Sequence, residues 1–322
     1  MKKFLILGGA GFIGYNLAKK LSKNKKNNVD IVDNFSRGKF DKDFKELSKF
    51  KNVNLKSLDL LKNSNIKFNK NYDYIFNLAA IIGVSNVMKL PYKVLINNVL
   101  IQSKALSIAK MQKKLKKFIF FSTSEVYAGS NTYFNTKIPS PENTPLTISS
   151  LKNNRSTYMI SKIYGEAMCH HSNIPFIIFR PHNIYGERMG LNHVIPEILK
   201  KIKNLEEKEL LKVYTPKHTR SFCYIDDAIN QMIKLTYSSA KNEDFNIGND
   251  KDEISISQLV RKCLKILNKK NKILPLKNIH NSPKRRCPNM RKTFSYIDRS
   301  KFTRLNDGIN QMLKWYENNK LI

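Results

Sequence analysis

Cysteine is scarce in this chain and badly placed for pairing. Four occur in 322 residues, Cys169, Cys223, Cys263 and Cys287, far apart and with no Cys-x-x-Cys. That spacing excludes a disulfide framework and a zinc ribbon, and a reducing cytoplasm is the expected setting. The adjacent His170 and His171 lack ligand spacing and are expected to cap a helix or face solvent, so no metal site is anticipated. Acidic residues are also few, 25 against 58 Lys and Arg, leaving a formal charge of +33. Such an excess first points to nucleic acid or another polyanion. The lysines, however, are scattered among asparagines in polar stretches such as 19–28, 110–117 and 262–272. The surplus therefore reads as solvated surface, with no specific nucleic-acid partner, whose field favours an anionic substrate. No apolar run approaches the roughly 20 residues of a membrane span. Met1-Lys2-Lys3 before Phe4–Leu7 mimics a signal peptide, but glycines break the run almost at once.

Glycine is rare as well, 12 in all, yet four fall within Gly8-Gly9-Ala10-Gly11-Phe12-Ile13-Gly14. The cluster follows the apolar run Phe4–Leu7, which suits a strand buried on both faces of a parallel sheet. Gly8 would make the tight turn, Gly11 would admit a pyrophosphate, and Gly14 would let the helix pack closely on the strand. A helix starting near Phe12 and Ile13 would turn its positive end to the phosphates. The next strand, Val29–Val32, ends in Asp33 followed by Asn34, where a carboxylate binds ribose hydroxyls and repels a 2′-phosphate. This favours NAD over NADP, with Arg37 the one dissenting residue. Val53–Leu58 reads as a third strand before Asp59-Leu60, and Tyr74–Leu78 as a fourth before Ala79-Ala80. A helix over about Val94–Gln112 and a strand Phe118–Phe121 come next. Strands alternating with helices predict an α/β fold, a doubly wound parallel sheet of Rossmann type. Asn131–Asn154 reads as a long loop that could serve as a lid.

Tyr158 and Lys162 are four apart and would share one helix face. A lysine ammonium plus a second cation would favour the phenolate and make Tyr158 a general base. The spacing alone is uninformative, because Tyr-x-x-x-Lys recurs at Tyr15/Lys19, Tyr133/Lys137, Tyr237/Lys241 and Tyr316/Lys320.

The glycine turn, Leu78-Ala79-Ala80, Ser122-Thr123-Ser124-Glu125-Val126-Tyr127, the Tyr158/Lys162 pair, Arg180–Gly186, Thr219–Asp227 and Arg285–Pro288 come in this order. In that order they resemble the extended short-chain dehydrogenase/reductases, in their NAD-dependent nucleotide-sugar epimerase/dehydratase branch. The resemblance implies residues 1–178 as NAD-binding domain and 179–322 as a smaller C-terminal α/β domain for the nucleotide sugar, some segments returning to the first. It implies Tyr158 as base at the sugar 4-hydroxyl, Thr123 on the same oxygen and Lys162 on the nicotinamide ribose. Asn98 would support Lys162, and Asp59 and Leu60 would lie by the adenine. Ser124, Asn183, Arg220 and one of Arg285 and Arg286 would hold the nucleotide diphosphate-sugar. The family also implies a homodimer through a four-helix bundle built from the helices at 94–112 and 158–171.

The step after C4 oxidation stays open between epimerisation, the first choice, and decarboxylation or 4,6-dehydration. Plain 4-epimerases of the family usually lack a glutamate at Glu125, whereas Thr-Ser-Glu is similar to UDP-glucuronate decarboxylases. His182 and Ala128 depart from the family's usual aromatic and glycine. A non-catalytic redox sensor or nucleic-acid binder is the alternative class, and it leaves a poised base without a use.

Overall fold

The computed structural model describes residues 1–62, 68, 71–277 and 283–322. Its centre is a seven-stranded, wholly parallel sheet. In chain order the strands are β1 (Lys2–Leu7), β2 (Asn27–Asp33), β3 (Val53–Ser57), β4 (Tyr74–Asn77), β5 (Lys117–Phe121), β6 (Phe176–Pro181) and β7 (Glu243–Ile247). Their order across the sheet is β3-β2-β1-β4-β5-β6-β7, so the direction of winding reverses between β1 and β4, where doubly wound sheets bind ligands.

The apolar runs make these strands because both sheet faces are covered. Phe4 and Ile6 enter one hydrophobic cluster, and their neighbours Leu5 and Leu7 enter the other, as the two-residue period of a strand requires. On the second face the helix Pro91–Lys110 packs along the helix Asn154–His170. The first cluster runs without a break from Phe4 to Tyr316, so the C-terminal elements share it with the sheet. β7 returns to pair with β6 at the sheet's edge. Beyond it, three short strands join: Thr219–Arg220 pairs with Ile254–Ser255 and with Arg285–Arg286.

Segment 131–154 is not a free lid. The Ser140 amide donates to Cys287 O at 3.0 Å, and Ser140 O accepts from the Asn289 amide at 3.0 Å. Glu142 Oε1 accepts from the Asn246 amide at 2.9 Å, and the Glu142 carbonyl accepts from buried Arg180 at 2.8 Å. Backbone pairing and buried polar groups fasten this arm across the molecule, a tertiary fact its proline- and asparagine-rich sequence does not disclose.

After β1 the chain turns at Gly8, whose φ is +79°. A Cβ there would meet Ala79 N at 2.6 Å, and one at Gly14 would meet Gly8 O at 2.5 Å. Only hydrogen fits at either place. Gly14→Ala is therefore expected to cost about 1–3 kcal/mol through forced backbone displacement; an unchanged urea midpoint would contradict this packing.

Candidate active site

The carboxyl ends of β1, β2, β4 and β5 converge on one cleft. The helix Phe12–Ser22 begins there with Gly11 as its N-cap and no side chain capping its first turn. Gly11 is open: a Cβ on it would find only Gly8 O, at 3.5 Å. A glycine floor beneath exposed helix-end amides suits a pyrophosphate. Asp33 closes the far side, its Oδ2 accepting from the Ala10 amide and its Oδ1 from the Phe35 amide, both at 2.8 Å. Burial raises its pKa while those amides oppose the shift. Each oxygen keeps a lone pair for a ribose hydroxyl. Asn34 is exposed and its side chain caps the Ser36 amide, Asp59 caps Leu61, and Leu60 is buried in the second cluster. The backbone of Leu78, Ala79 and Ala80 continues β4 into the cleft, with the Leu78 amide on Leu7 O and Gly8 against Ala79.

Across this cleft stands the tyrosine helix, Asn154–His170, capped by Asn153 through the Arg155 amide. Among the five Tyr-x-x-x-Lys pairs, Lys162 alone is a buried lysine; Lys19, Lys137, Lys241 and Lys320 are not buried. Lys162 Nζ donates to Phe121 O at 2.7 Å, and burial pushes its pKa down to about 8. Asn98 grips the neighbourhood rather than Lys162 itself. Its Oδ1 accepts from the Ile81 amide at 2.7 Å, and its Nδ2 donates to Ile81 O at 3.1 Å and Ser161 Oγ at 3.2 Å.

The phenol differs from expectation. Tyr158 has its pKa raised, by burial first and by the Glu125 carboxylate second, while a hydrogen bond to Thr123 and the charge of Arg37 pull it down. The Lys162 ammonium, on the Phe121 carbonyl, lies 5.9 Å from the centre of the Tyr158 ring. Arg37 reaches across to the tyrosine helix's surroundings. Its Nη2 lies 3.3 Å from His193 Nε2 across the cleft, and its charge is coupled to Tyr158. Burial and Arg37 lower His193.

Thr123 caps the short turn Ser124–Tyr127 by accepting from the Glu125 amide at 3.2 Å, with Ser124 buried inside. Glu125 pairs with Arg286 Nη2 at 2.9 Å, and Arg286, Arg155 and Arg220 together outweigh burial and lower its pKa. Arg220 donates to Thr219 O at 2.7 Å and Pro283 O at 2.9 Å; burial and the charge of Arg286 bring it down to about 10. Arg285 points the other way, to Glu253 at 2.8 Å and Ile138 O at 3.0 Å. Asn183, at φ +41°, donates to Ser221 O at 3.0 Å. His182 is buried and neutral, its Nε2 donating to Asn246 Oδ1 at 3.0 Å, with its pKa driven down to about 3 by burial. Sequence reasoning missed Arg155 and His193; Arg155 stands three residues before Tyr158, a helix spacing that could have found it. Among the described residues no cluster of three or more His, Cys, Asp or Glu could hold a metal.

Residues 4–248 match the model of the NAD dependent epimerase/dehydratase family. The chain belongs to that family. It is an NAD-dependent enzyme of the family, and the glycine cradle and Asp33 fit that cofactor. Similar proteins include UDP-N-acetyl-alpha-D-glucosaminuronate decarboxylase of Bacillus cytotoxicus, 33% identical over 85% of this chain and 83% of that one. dTDP-D-glucose 4,6-dehydratase of Dictyostelium discoideum is 33% identical over 83% of this chain, which spans 62% of the longer relative. Among solved structures, UDP-glucuronic acid 4-epimerase of Bacillus cereus, in complex with UDP-glucuronic acid and NAD, superposes with a TM-score of 0.84. It is 27% identical and covers 98% of this chain and 99% of its own.

In this family member the charges around Tyr158 make a testable set. If Tyr158 serves as the base it must lose its proton, and activity would then rise with pH through its pKa. Glu125→Gln removes a charge that raises that pKa, and the acidic limb of kcat/KM is expected to move to lower pH. Arg37→Met is expected to move it the other way. A pH–rate profile of both variants checks the pair, and an unmoved limb in each contradicts the coupling.

Proposed function

We propose that the protein is a nucleotide-sugar 4-epimerase acting through transient oxidation at C4. The observation that carries the reading is the meeting of Thr123, Tyr158 and buried Lys162 at the carboxyl end of β5, beside the glycine cradle. NAD, when bound, would supply a hydride acceptor and donor for C4. Gly8, Gly11, Phe12, Ile13 and Gly14 would carry its pyrophosphate, and Asp33 with Asn34 one ribose. Asp59 and Leu60 would lie by the adenine, Leu78, Ala79 and Ala80 along its path, and Lys162 on the second ribose. Tyr158 accepts the 4-hydroxyl proton, Thr123 holds the same oxygen, and Asn98 steadies the helix through Ser161. Residues 1–178 would thus serve the cofactor and 179–322 the substrate. Ser124, Asn183, Arg220 and Arg286 would face the sugar and diphosphate, because a guanidinium's planar fork matches phosphate. Arg285, committed to Glu253, would contribute only by releasing that ion pair. Epimerisation needs only that the 4-keto sugar turn over and be reduced on its other face, and the end-to-end likeness to a 4-epimerase supports it.

A second reading, decarboxylation of a 6-carboxylate sugar, is favoured by one observation: Glu125 stands beside the base, paired to Arg286. A ketone at C4 of such a sugar makes a β-keto acid that loses CO2. UDP-, dTDP-, GDP- and CDP-sugars, with and without a 6-carboxylate, separate the outcomes. Inverted C4 with no CO2 supports the epimerase, CO2 release the decarboxylase, and a stable 4-keto-6-deoxy product a dehydratase. Tyr158→Phe is expected to lower kcat by at least about 100-fold while retaining NAD; full turnover would remove Tyr158 from its role.

The exposed Tyr92, Ile96 and Leu100 are spaced four apart on the helix Pro91–Lys110, and Tyr164 is exposed on its packed neighbour. A second copy covering this stripe would complete a four-helix bundle. Ile96→Glu with Leu100→Glu is expected to give a monomer by sedimentation; an unchanged sedimenting species would displace the interface from this face.

A further inference from the structure

Phe121, Ser122 and Thr123 leave the sheet one after another and meet successive turns of the tyrosine helix. Phe121 O accepts from Lys162 and the Ser122 hydroxyl donates to Glu166 Oε1, while the Thr123 hydroxyl favours the phenolate of Tyr158. Tyr158, Lys162 and Glu166 are spaced by four and line one helix face. Any slip of the strand tip against the helix would break both bonds at once and shift Thr123 away from Tyr158.

Glu166 is the member to which the reaction gives no part. It is 3% exposed, and Arg180 grips both its oxygens, Nε to Oε1 at 3.0 Å and Nη2 to Oε2 at 2.6 Å. Burying such a pair is costly, and well-packed apolar residues often serve stability as well or better. Stability alone is therefore a weak reason for the pair to stand here. Arg180 directs its remaining donors to Tyr127 Oη at 2.9 Å, Glu142 O at 2.8 Å and Asp244 Oδ2 at 2.9 Å. These partners lie on the Glu125 turn, the fastened arm and β7. One guanidinium thus ties three separate parts of the site to Glu166.

We propose that Glu166, clamped by Arg180, is a positioning residue that registers the Thr123-bearing strand tip against the tyrosine helix and supplies the negative charge beneath Lys162. The charges facing Lys162 fit this role. From its own helix come Tyr158, Glu166 and Cys169; from β5 come the Phe120 ring, 4.9 Å from Nζ, and the Phe121 carbonyl. From the helix Pro91–Lys110, neutral Gln102 reaches Cys169 Sγ at 3.2 Å, and Arg180 and Asp244 face Glu166 from β6 and β7. Burial lowers Lys162, Glu166 is the largest opposing influence, and the thiol of Cys169 is itself kept protonated by burial.

The inference rests on the C4-oxidising reading only for Tyr158 and Lys162 as the working pair, and one readout needs no substrate. In protein labelled with ¹³C at lysine Cε, with Lys162 assigned by Lys162→Met, Glu166→Gln is expected to lower the Lys162 midpoint by about one unit, tenfold in proton affinity. An unchanged midpoint overturns the proposal whatever reaction the enzyme performs. In turnover, Glu166→Gln is expected to move the alkaline limb of kcat/KM down by the same interval and to lower kcat about tenfold or more, at unchanged KM and NAD content. A purely structural glutamate would lower Tm and leave the limb in place. Ser122→Ala keeps the ion pair and removes only the strand-side bond; kcat is expected to fall several-fold with the limb unmoved. Should Glu166→Gln fail to fold, Ser122→Ala decides, and wild-type kcat there overturns the registering role. Wild-type protein inert towards every sugar offered would instead fail the functional reading and leave the lysine titration to judge this one.

Discussion

Holding a lysine ammonium out of water constrains everything near it. The chain carries 58 basic residues, and the surface takes almost all of them. Lys117 and Lys162 are the buried lysines among those described, and each is satisfied by backbone carbonyls. For Lys162 that carbonyl belongs to the last residue of β5, so the charge is solvated only while strand end and helix keep their register. This bond and the neighbouring Ser122–Glu166 bond both join the strand tip to the tyrosine helix. Glu166 and Arg180 lie behind it, and the arm at 138–147 fastens to the same network.

The electrostatics resolve into two linked balances. Burial and Glu125 make the Tyr158 proton harder to remove, and Thr123 and Arg37 make it easier. Glu125 is itself held anionic by three arginines, of which Arg286 is nearest. Any further positive charge brought close to this phenol would make its proton easier to remove. The arginines around Glu125 and the carboxylate itself therefore set the charge that Tyr158 meets.

Much of the fold was legible because its signals are steric or periodic. Four glycines crowding seven positions in a glycine-poor chain leave few alternatives to a tight strand–helix turn, and fully buried parallel strands write themselves as apolar runs. Strand ends shifted by a residue or two, and the helix expected at 94–112 begins at Pro91, where a proline at the first turn is tolerated. The lid expectation failed because nothing in residues 131–154 announces that Asn246, Arg180 and Cys287 wait to receive them. The place of Arg37 beside Tyr158 was hidden for the same reason: the loop after Asp33 lies against His193, 156 residues away in sequence.

By itself the sequence determined the doubly wound architecture, the cofactor cradle and the order of the motifs, since each depends on local sterics or on periodicity. Only the tertiary structure decided which of five equivalent Tyr-x-x-x-Lys pairs buries its lysine, because burial depends on what packs opposite. It also set Arg285 and Arg286 apart. Paired to the strand Thr219–Arg220, adjacent residues turn to opposite faces, sending one to Glu253 and the other to Glu125. The protonation of Tyr158 likewise belongs to the folded chain, where desolvation and a carboxylate 33 residues distant in sequence outweigh the opposing pull of Thr123 and Arg37.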